Sequence, residues 1–385
     1  MSRPERYSTL TNPEILGSYR NQDRSKEDSE VSEIHSASRA NVDRRWQWAR
    51  PTIEGVAPSP RGGHTATLAG ASVVVFGGHY YGGKKQGFTY LNDTIVLDVN
   101  ENKWVRPRLN GTPPSPRYGH TAVLAGSRIV VFGGRGENGF NFRDLHALDP
   151  VTMTWYQGPD GGNAPSGRLN HTATLVGTKM YVFGGWNGES YFNDLHILDL
   201  TNMGWTQPET TGYLPVPRMG HTAVLIGTNI LVQGGFYFDE EKHRKSGMKM
   251  GSFLKDCYLN DLRVLDTETL VWSRLRVSGT PPRPCYNHSM NVSGSDIIVL
   301  GGYGVFGKPT SAELDYFVVL NTDTMSWNKG LFTGNPPPNR YGHSTTVIEP
   351  HILIFGGWES TKAMNDVIVL RDMTTLGDKS ASMNS

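Results

Sequence analysis

A chain of 385 residues with 37 Lys and Arg against 36 Asp and Glu carries a formal charge of +1. That balance lacks the basic excess through which nucleic-acid binders neutralise phosphates, so no nucleic-acid partner is expected. Gly 45 and Pro 23 beside 37% hydrophobic residues describe many short strands and turns rather than a compact α/β enzyme.

Residues 1–45 hold eight serines, eight basic and eight acidic residues, with few large apolar ones. Such a segment cannot offset its ordering entropy, and a disordered tail is expected. Val31 and Ile34 are the pair that could nucleate a short helix on a partner; composition favours a solvated tail. The start has no apolar core of a secretory signal, and no apolar run approaches the ~18 residues of a membrane helix. Two cysteines, Cys257 and Cys285, are too few for a disulfide framework. A cytoplasmic protein without integral membrane association is the expectation.

From Trp48 onward four marks recur in register. Histidines stand at His64, His120, His171, His221, His288 and His343 within variants of Arg-x-Gly-His. Each is followed thirteen residues later by a Gly-Gly pair and preceded sixteen residues earlier by Trp48, Trp104, Trp155, Trp205, Trp272 or Trp327. Asp93, Asp144, Asp194 and Asp261 lie eleven residues before their tryptophans, and Asp315 twelve. Inside each unit two β-rich runs such as HTAVL and IVVFGG are joined by a short turn. Gly70, Gly126, Gly177, Gly227 and Gly294 stand where that turn needs positive φ; the sixth copy has Glu349-Pro350. Two more strand runs follow, so the unit reads as a four-stranded antiparallel propeller blade, repeated six times.

The sixth repeat has no tryptophan of its own, whereas Trp48 has no preceding Gly-Gly. The N-terminal strand around Trp48 is therefore expected to close the last blade, with Trp46 as a rival out of register. The expected division is a tail over 1–45, an all-β six-bladed propeller over 46–371 and a flexible C-terminal tail over 372–385.

These marks resemble the kelch-repeat family, in its kelch-only form. The resemblance implies a propeller whose first strands line a central channel and whose fourth strands lie outermost. It also implies candidate roles in vesicle traffic or cytoskeletal organisation. BTB–kelch adaptors fit less well, because 45 tail residues cannot encode their oligomerisation domain.

A reactive centre needs different groups converging on one point, whereas residues at one offset in six blades are spread around a ring. The histidines are therefore expected to satisfy backbone groups within their own blades. Arg61, Arg117, Arg168, Arg218 and Arg340, with Cys285 in the fifth copy, leave two readings. They form a ring at one mouth attractive to an acidic peptide, or each braces the entry to its blade; repetition favours the brace. No cofactor, metal site or catalytic residue is expected. Neither cysteine suits a copper-radical oxidase, and no iron-specifier ligand run occurs. The "DEEKH" run at 239–243 reads as solvated charge.

From the second Gly of each pair to the blade aspartate takes 15, 10, 9, 26, 13 and 9 residues. Variation there, between strands two and three, points to the binding face. Partner-binding candidates on those loops are Tyr80, Tyr81, Arg135, Phe140, Trp186, Tyr191, Phe236, Tyr237, Phe238, Lys242, Arg244, Tyr303, Phe306 and Trp358. The 236–258 insert is expected to be a mobile loop. The expected function is a monomeric, non-catalytic scaffold holding a protein or peptide on the face formed by the 2–3 and 4–1 loops. The alternative is a kelch-type enzyme or metal-dependent specifier acting at the channel mouth.

Overall fold

The computed structural model describes residues 44–159, 162–304 and 316–374. Six antiparallel sheets follow one another along the chain, each a meander of four strands. Blade one is built from Thr65–Ala69, Ser72–Phe76, Thr94–Asp98 and Lys103–Val105. Second strands such as SVVVF, RIVVF and HILIF are nearly continuous apolar runs, because both of their faces meet a neighbouring blade. Outer strands such as KWV bury only the central tryptophan.

Blade six combines Ser344–Ile348, His351–Phe355 and Val367–Asp372 with Arg45–Ala49 from the beginning of the chain. Trp48 stands opposite Leu370 there. The same leucine–tryptophan pair recurs as Leu97–Trp104, Leu148–Trp155, Leu198–Trp205, Leu265–Trp272 and Leu320–Trp327. Trp48 thus holds the repeat position, while Trp46, opposite Asp372, is an additional buried anchor. Arg44 caps the closure. Its guanidinium bonds Asp372 and the Ser293 carbonyl, reaches Asp296 at 3.4 Å and lies 5.1 Å from the Trp46 ring. Ordered structure therefore extends slightly beyond 46–371 at both ends. The remaining tail positions, Val31 and Ile34 included, lie outside the described residues.

The core lies in the seams between blades. Trp48 packs with Ile298 and Phe317 of blade five, and Trp155 with Phe76 and Val96 of blade one. Glu349-Pro350, in the turn that lacks the glycine, is a cis peptide bond. No helix among the described residues is long and apolar enough to cross a membrane.

Two expectations need correction. Fourth strands are not outermost in blades four, five and six: Thr211–Gly212, Ser278–Gly279 and Leu331–Thr333 run parallel along them. A glycine permits the approach. At Gly212, φ is +84° and a Cβ would lie 2.2 Å from the Trp272 carbonyl oxygen. Gly55, Gly111, Gly279 and Gly334 meet their tryptophans in the same way, each six residues before the motif arginine or Cys285, a spacing legible in the sequence. The blade-four insert is also folded rather than a mobile loop. Asp239 caps the helix Glu240–Ser246 by accepting from the Lys242 amide. Phe238, His243 and Phe253 then pack with ring centroids 4.8–5.6 Å apart, over a buried Cys257.

Candidate functional site

The motif arginines do not point into the channel. Arg61, Arg117, Arg168 and Arg218 are 0% exposed. Arg117 spans both Asp144 oxygens at 2.6 and 2.8 Å and donates to the Gly133 carbonyl at 2.9 Å. Arg61–Asp93, Arg168–Asp194, Arg218–Asp261 and Arg340–Asp366 repeat that fork. Each is a bidentate brace from strand-one entry to strand-three entry, so the basic ring at the mouth is ruled out. Burial alone would raise the Asp144 carboxyl, but hydrogen bonds from Arg117 and His146 hold it well below the carboxylate range. In blade five the Cys285 thiol takes the arginine's place, 3.9 Å from the Gly301 carbonyl. Burial pushes that thiol up to about 12, leaving it inert.

The histidines serve the neighbouring blade rather than their own. His64 Nε2 shares a hydrogen bond with Ser344 Oγ at 2.8 Å, and His120 with Thr65 Oγ1 at 3.0 Å. His171–Thr121, His221–Thr172, His288–Thr222 and His343–Ser289 complete the circle at 2.9–3.0 Å. One residue earlier, a closed ring of backbone bonds of 2.7–2.8 Å runs through Gly63, Gly119, Asn170, Gly220, Asn287 and Gly342. Burial first, then the adjacent arginine, pushes His120, His171 and His343 down to about 3, and burial pushes His288 to about 4. His64 and His221 are also held well below 6.5.

At His120, His171, His288 and His343 the unfolded chain binds a proton below about pH 6.5, whereas the folded protein resists it down to about 3–4, and His64 and His221 shift in the same direction. Their contribution to stability is therefore complete above about pH 6.5 and drains away as pH falls toward 4. Melting temperatures at pH 7.5, 6.0 and 5.0 should descend steeply, at a rate reflecting several protons per chain. A level profile over that window would contradict the neutral ring.

Above the ring opens the mouth, a cavity of about 650 Å3. Two circles of side chains surround it. The inner one comes from the variable residue of the motif: Tyr118, Leu169, Met219, Tyr286 and Tyr341, with Gly62 in blade one. A Cβ on Gly62 would lie 2.1 Å from the Trp358 indole, so this tryptophan of blade six fills the place of the missing side chain. The outer circle comes from the residue after Gly-Gly: His79, Arg135, Trp186, Phe236, Tyr303 and Trp358 each bridge to their inner partner. Ring contacts join them into an aromatic rim, among them His79–Tyr118 at 4.1 Å, Tyr286–Tyr303 at 5.7 Å and Tyr303–Tyr341 at 5.1 Å. Burial pushes His79 down to about 4, so it too is neutral. None of the described residues lining this cavity is Asp, Glu, Lys or Arg. Arg135 stands at its edge, 5.2 Å from the Trp186 ring.

Of the candidates read from the sequence, Trp186 lines the mouth, with Trp358, which is only 6% exposed and acts as a wall. Arg135, Phe236 and Tyr303 stand in the outer circle, and Tyr81 lines the opening beside Phe88. Tyr80 is half-buried in the hairpin His79–Tyr81 with Phe88–Tyr90, and Phe140 is exposed on its own loop. Tyr191 and Tyr237 pack against each other at 5.6 Å behind the lining, where Tyr191 stacks on Trp186 at 6.0 Å. Phe238 is turned into the insert, while Lys242 and Arg244 are exposed on its helix. Phe306 lies outside the described residues. The inner circle was missed, although its signal was present. Within the repeated motif, the residue after the arginine position varies most in character, reading Gly, Tyr, Leu, Met, Tyr and Tyr from blade one to blade six.

Comparison with known proteins agrees with this geometry. The profile of the KLHDC2/KLHL20/DRC7 Kelch-repeats domain matches residues 80–302 and 249–379. Host cell factor 1 of Rattus norvegicus is 32% identical over 351 residues, 86% of this chain and 17% of that protein. Host cell factor of Drosophila melanogaster is 30% identical over 365 residues, 90% of this chain and 24% of its own length. Kelch domain-containing protein 3 of Rattus norvegicus is 29% identical over 312 residues, covering 80% of this chain and 64% of that protein. The chain thus spans 16% to 24% of the host cell factors it resembles. With the profile matching most of its length and six closed blades carrying the repeated marks, the chain belongs to the kelch-repeat family.

Proposed function

We propose that this chain is a non-catalytic interaction module, acting as a monomer in the cytoplasm. It holds a protein or peptide partner on the face made by the 2–3 loops and the 4–1 connections. The observation that carries the reading is the mouth: about 650 Å3, walled by aromatic and aliphatic side chains, with no charged residue among the described lining. A concavity of that size and character suits an apolar or aromatic anchor side chain, with the hydroxyls of Tyr118 and Tyr286 and the throat amides of Asn170 and Asn287 beside its backbone. The kelch relatives, host cell factor among them, favour a scaffold over an enzyme. So does the chemistry of the ring, where each histidine is neutral and already bonded to the adjacent blade. Vesicle traffic and cytoskeletal organisation rest on resemblance alone.

The test places a carboxylate in the mouth. A double variant, Met219→Glu with Tyr303→Glu, should retain its fold, because both side chains are partly exposed. Partners recovered by affinity purification should fall at least about ten-fold, the equivalent of losing one interface hot spot. Replacing residues 238–257 by the short blade-three connection removes the insert together with its own small core while leaving Phe236 in the rim. Loss in the first variant and retention in the second would place the partner at the mouth. Full recovery by a folded mouth variant would overturn that placement.

A further inference from the structure

Two residues before the tryptophan of the outer strand in blades one to five, the backbone turns through the left-handed region. There φ is 49° at Asn102, 51° at Met153, 59° at Met203, 57° at Leu270 and 48° at Met325. That conformation disfavours methionine and leucine and is tolerated best by asparagine, so the apolar residues must gain by burial. Met153, Met203 and Leu270 each pack into the core of the seam with the preceding blade. In blade six the same position is Trp46, 1% exposed and part of its seam's core. Blade one alone has a polar residue there, the exposed Asn102.

The seam that Asn102 leaves unplugged, between blades six and one, is open. It forms a groove of about 390 Å3, walled by Ile53, Val99, Ile348 and Val369 over the buried Leu97 and Leu353. It lies at the ends of the strands opposite the mouth, beside the 1–2 turn of blade six and the 3–4 turn of blade one. We propose that this groove is a second docking site, which takes one methionine or leucine side chain from a partner polypeptide with an acidic residue beside it.

The sister blades supply the shape of the occupant, because the same position elsewhere is filled by methionine, leucine or tryptophan. The walls admit no charge, and the volume lies within the range of sites that bury a ligand group. The acidic flank follows from Arg371. It is exposed at the rim, and no ion pair joins it to an acidic side chain among the described residues. Beside it, His351 is lowered by burial and then by Arg371 itself, against the opposing pull of Asp372 and Glu349, which leaves Arg371 as the charged side chain of the groove's lining. An uncharged apolar anchor with a neighbouring carboxylate matches both features.

The test fills the groove from within. Asn102→Met installs the residue that Met153, Met203 and Met325 already provide in the same backbone conformation, so the variant should fold with an equal or higher melting temperature. A displayed library of random twelve-residue peptides is selected against the full chain and counter-screened on variants. Peptides carrying Met or Leu next to Asp or Glu should be enriched. Each should bind at least about ten-fold more weakly to Asn102→Met and to Arg371→Glu, a loss matching one removed anchor or charge pair, and equally well to the mouth variant. The absence of any peptide that separates wild type from Asn102→Met would overturn the proposal, including the case in which the chain's own ends close the groove. Self-association of wild type that Asn102→Met abolishes would also overturn it, by naming a second copy as the occupant.

Discussion

Replacing Arg117 by alanine should cost the propeller about 3 kcal/mol, at the lower end of the range for breaking a buried ion pair. The side chain is 0% exposed, and all three of its nitrogens donate. It donates to the Ser115 carbonyl at 3.0 Å, to Gly133 and to both Asp144 oxygens, with its plane 4.0 Å from the Phe142 ring. Alanine would leave two carbonyls bare and a carboxylate without its main counter-charge. Asp144 is 32% exposed and keeps His146 at 2.9 Å, so water and the imidazole recover part of the loss. Blade five shows that one brace can be dispensed with, because Cys285 stands where the arginine would be. The variant should therefore fold, with an earlier urea midpoint and an unchanged slope. A loss under about 1 kcal/mol would remove the braces from the account of stability.

The second large effect is expected at ring closure. Removing residues 1–43 should leave the melting temperature nearly unchanged, whereas removing 1–52 should yield aggregated or unfolded protein. The longer cut takes away Trp46 and Trp48, 1% and 5% exposed, each the kind of side chain whose loss from a core costs about 3–5 kcal/mol. It also strips Val367–Asp372 of its outer partner and leaves Leu331–Thr333 with nothing to pair with. The combined loss is comparable to the whole stability of a typical domain, about 5–15 kcal/mol. Arg44 sets where the shorter cut must fall. Removing it would leave Asp372, 0% exposed, and Asp296 as neighbouring buried carboxylates with no cation between them. Burial already raises the Asp296 carboxyl even with Arg44 in place. Size-exclusion and thermal melts of the truncations decide the matter, and equal behaviour of the two cuts would mean the closing strand is dispensable.

Spacing alone was enough to read six blades and their closure through Trp48. Blade geometry is a local property: each strand, turn and tryptophan sits at a nearly constant distance from its histidine along the chain. The parallel segments outside blades four to six could also have been read, from the glycine six residues before each motif arginine. Repetition also favoured a brace for the arginines, but neither their aspartate partners nor the role of the histidines could be read. Arg61 meets Asp93 at a separation of 32 residues and Arg218 meets Asp261 at 43, because loops of unequal length intervene. His64 finds Ser344, 280 residues away, only once the ring has closed. The loop insertions pointed to the face that carries the mouth, but not to its centre. The mouth is built from single residues of six repeats, which become neighbours only when the blades are arranged around an axis. Asn102 makes the same point on the opposite face. In sequence it is an unremarkable turn residue, and only the packing of Met153, Met203 and Leu270 in their own seams reveals what its seam lacks. Local periodicity is therefore encoded along the chain, whereas cavities and charge pairings arise between blades and depend on how the repeats differ.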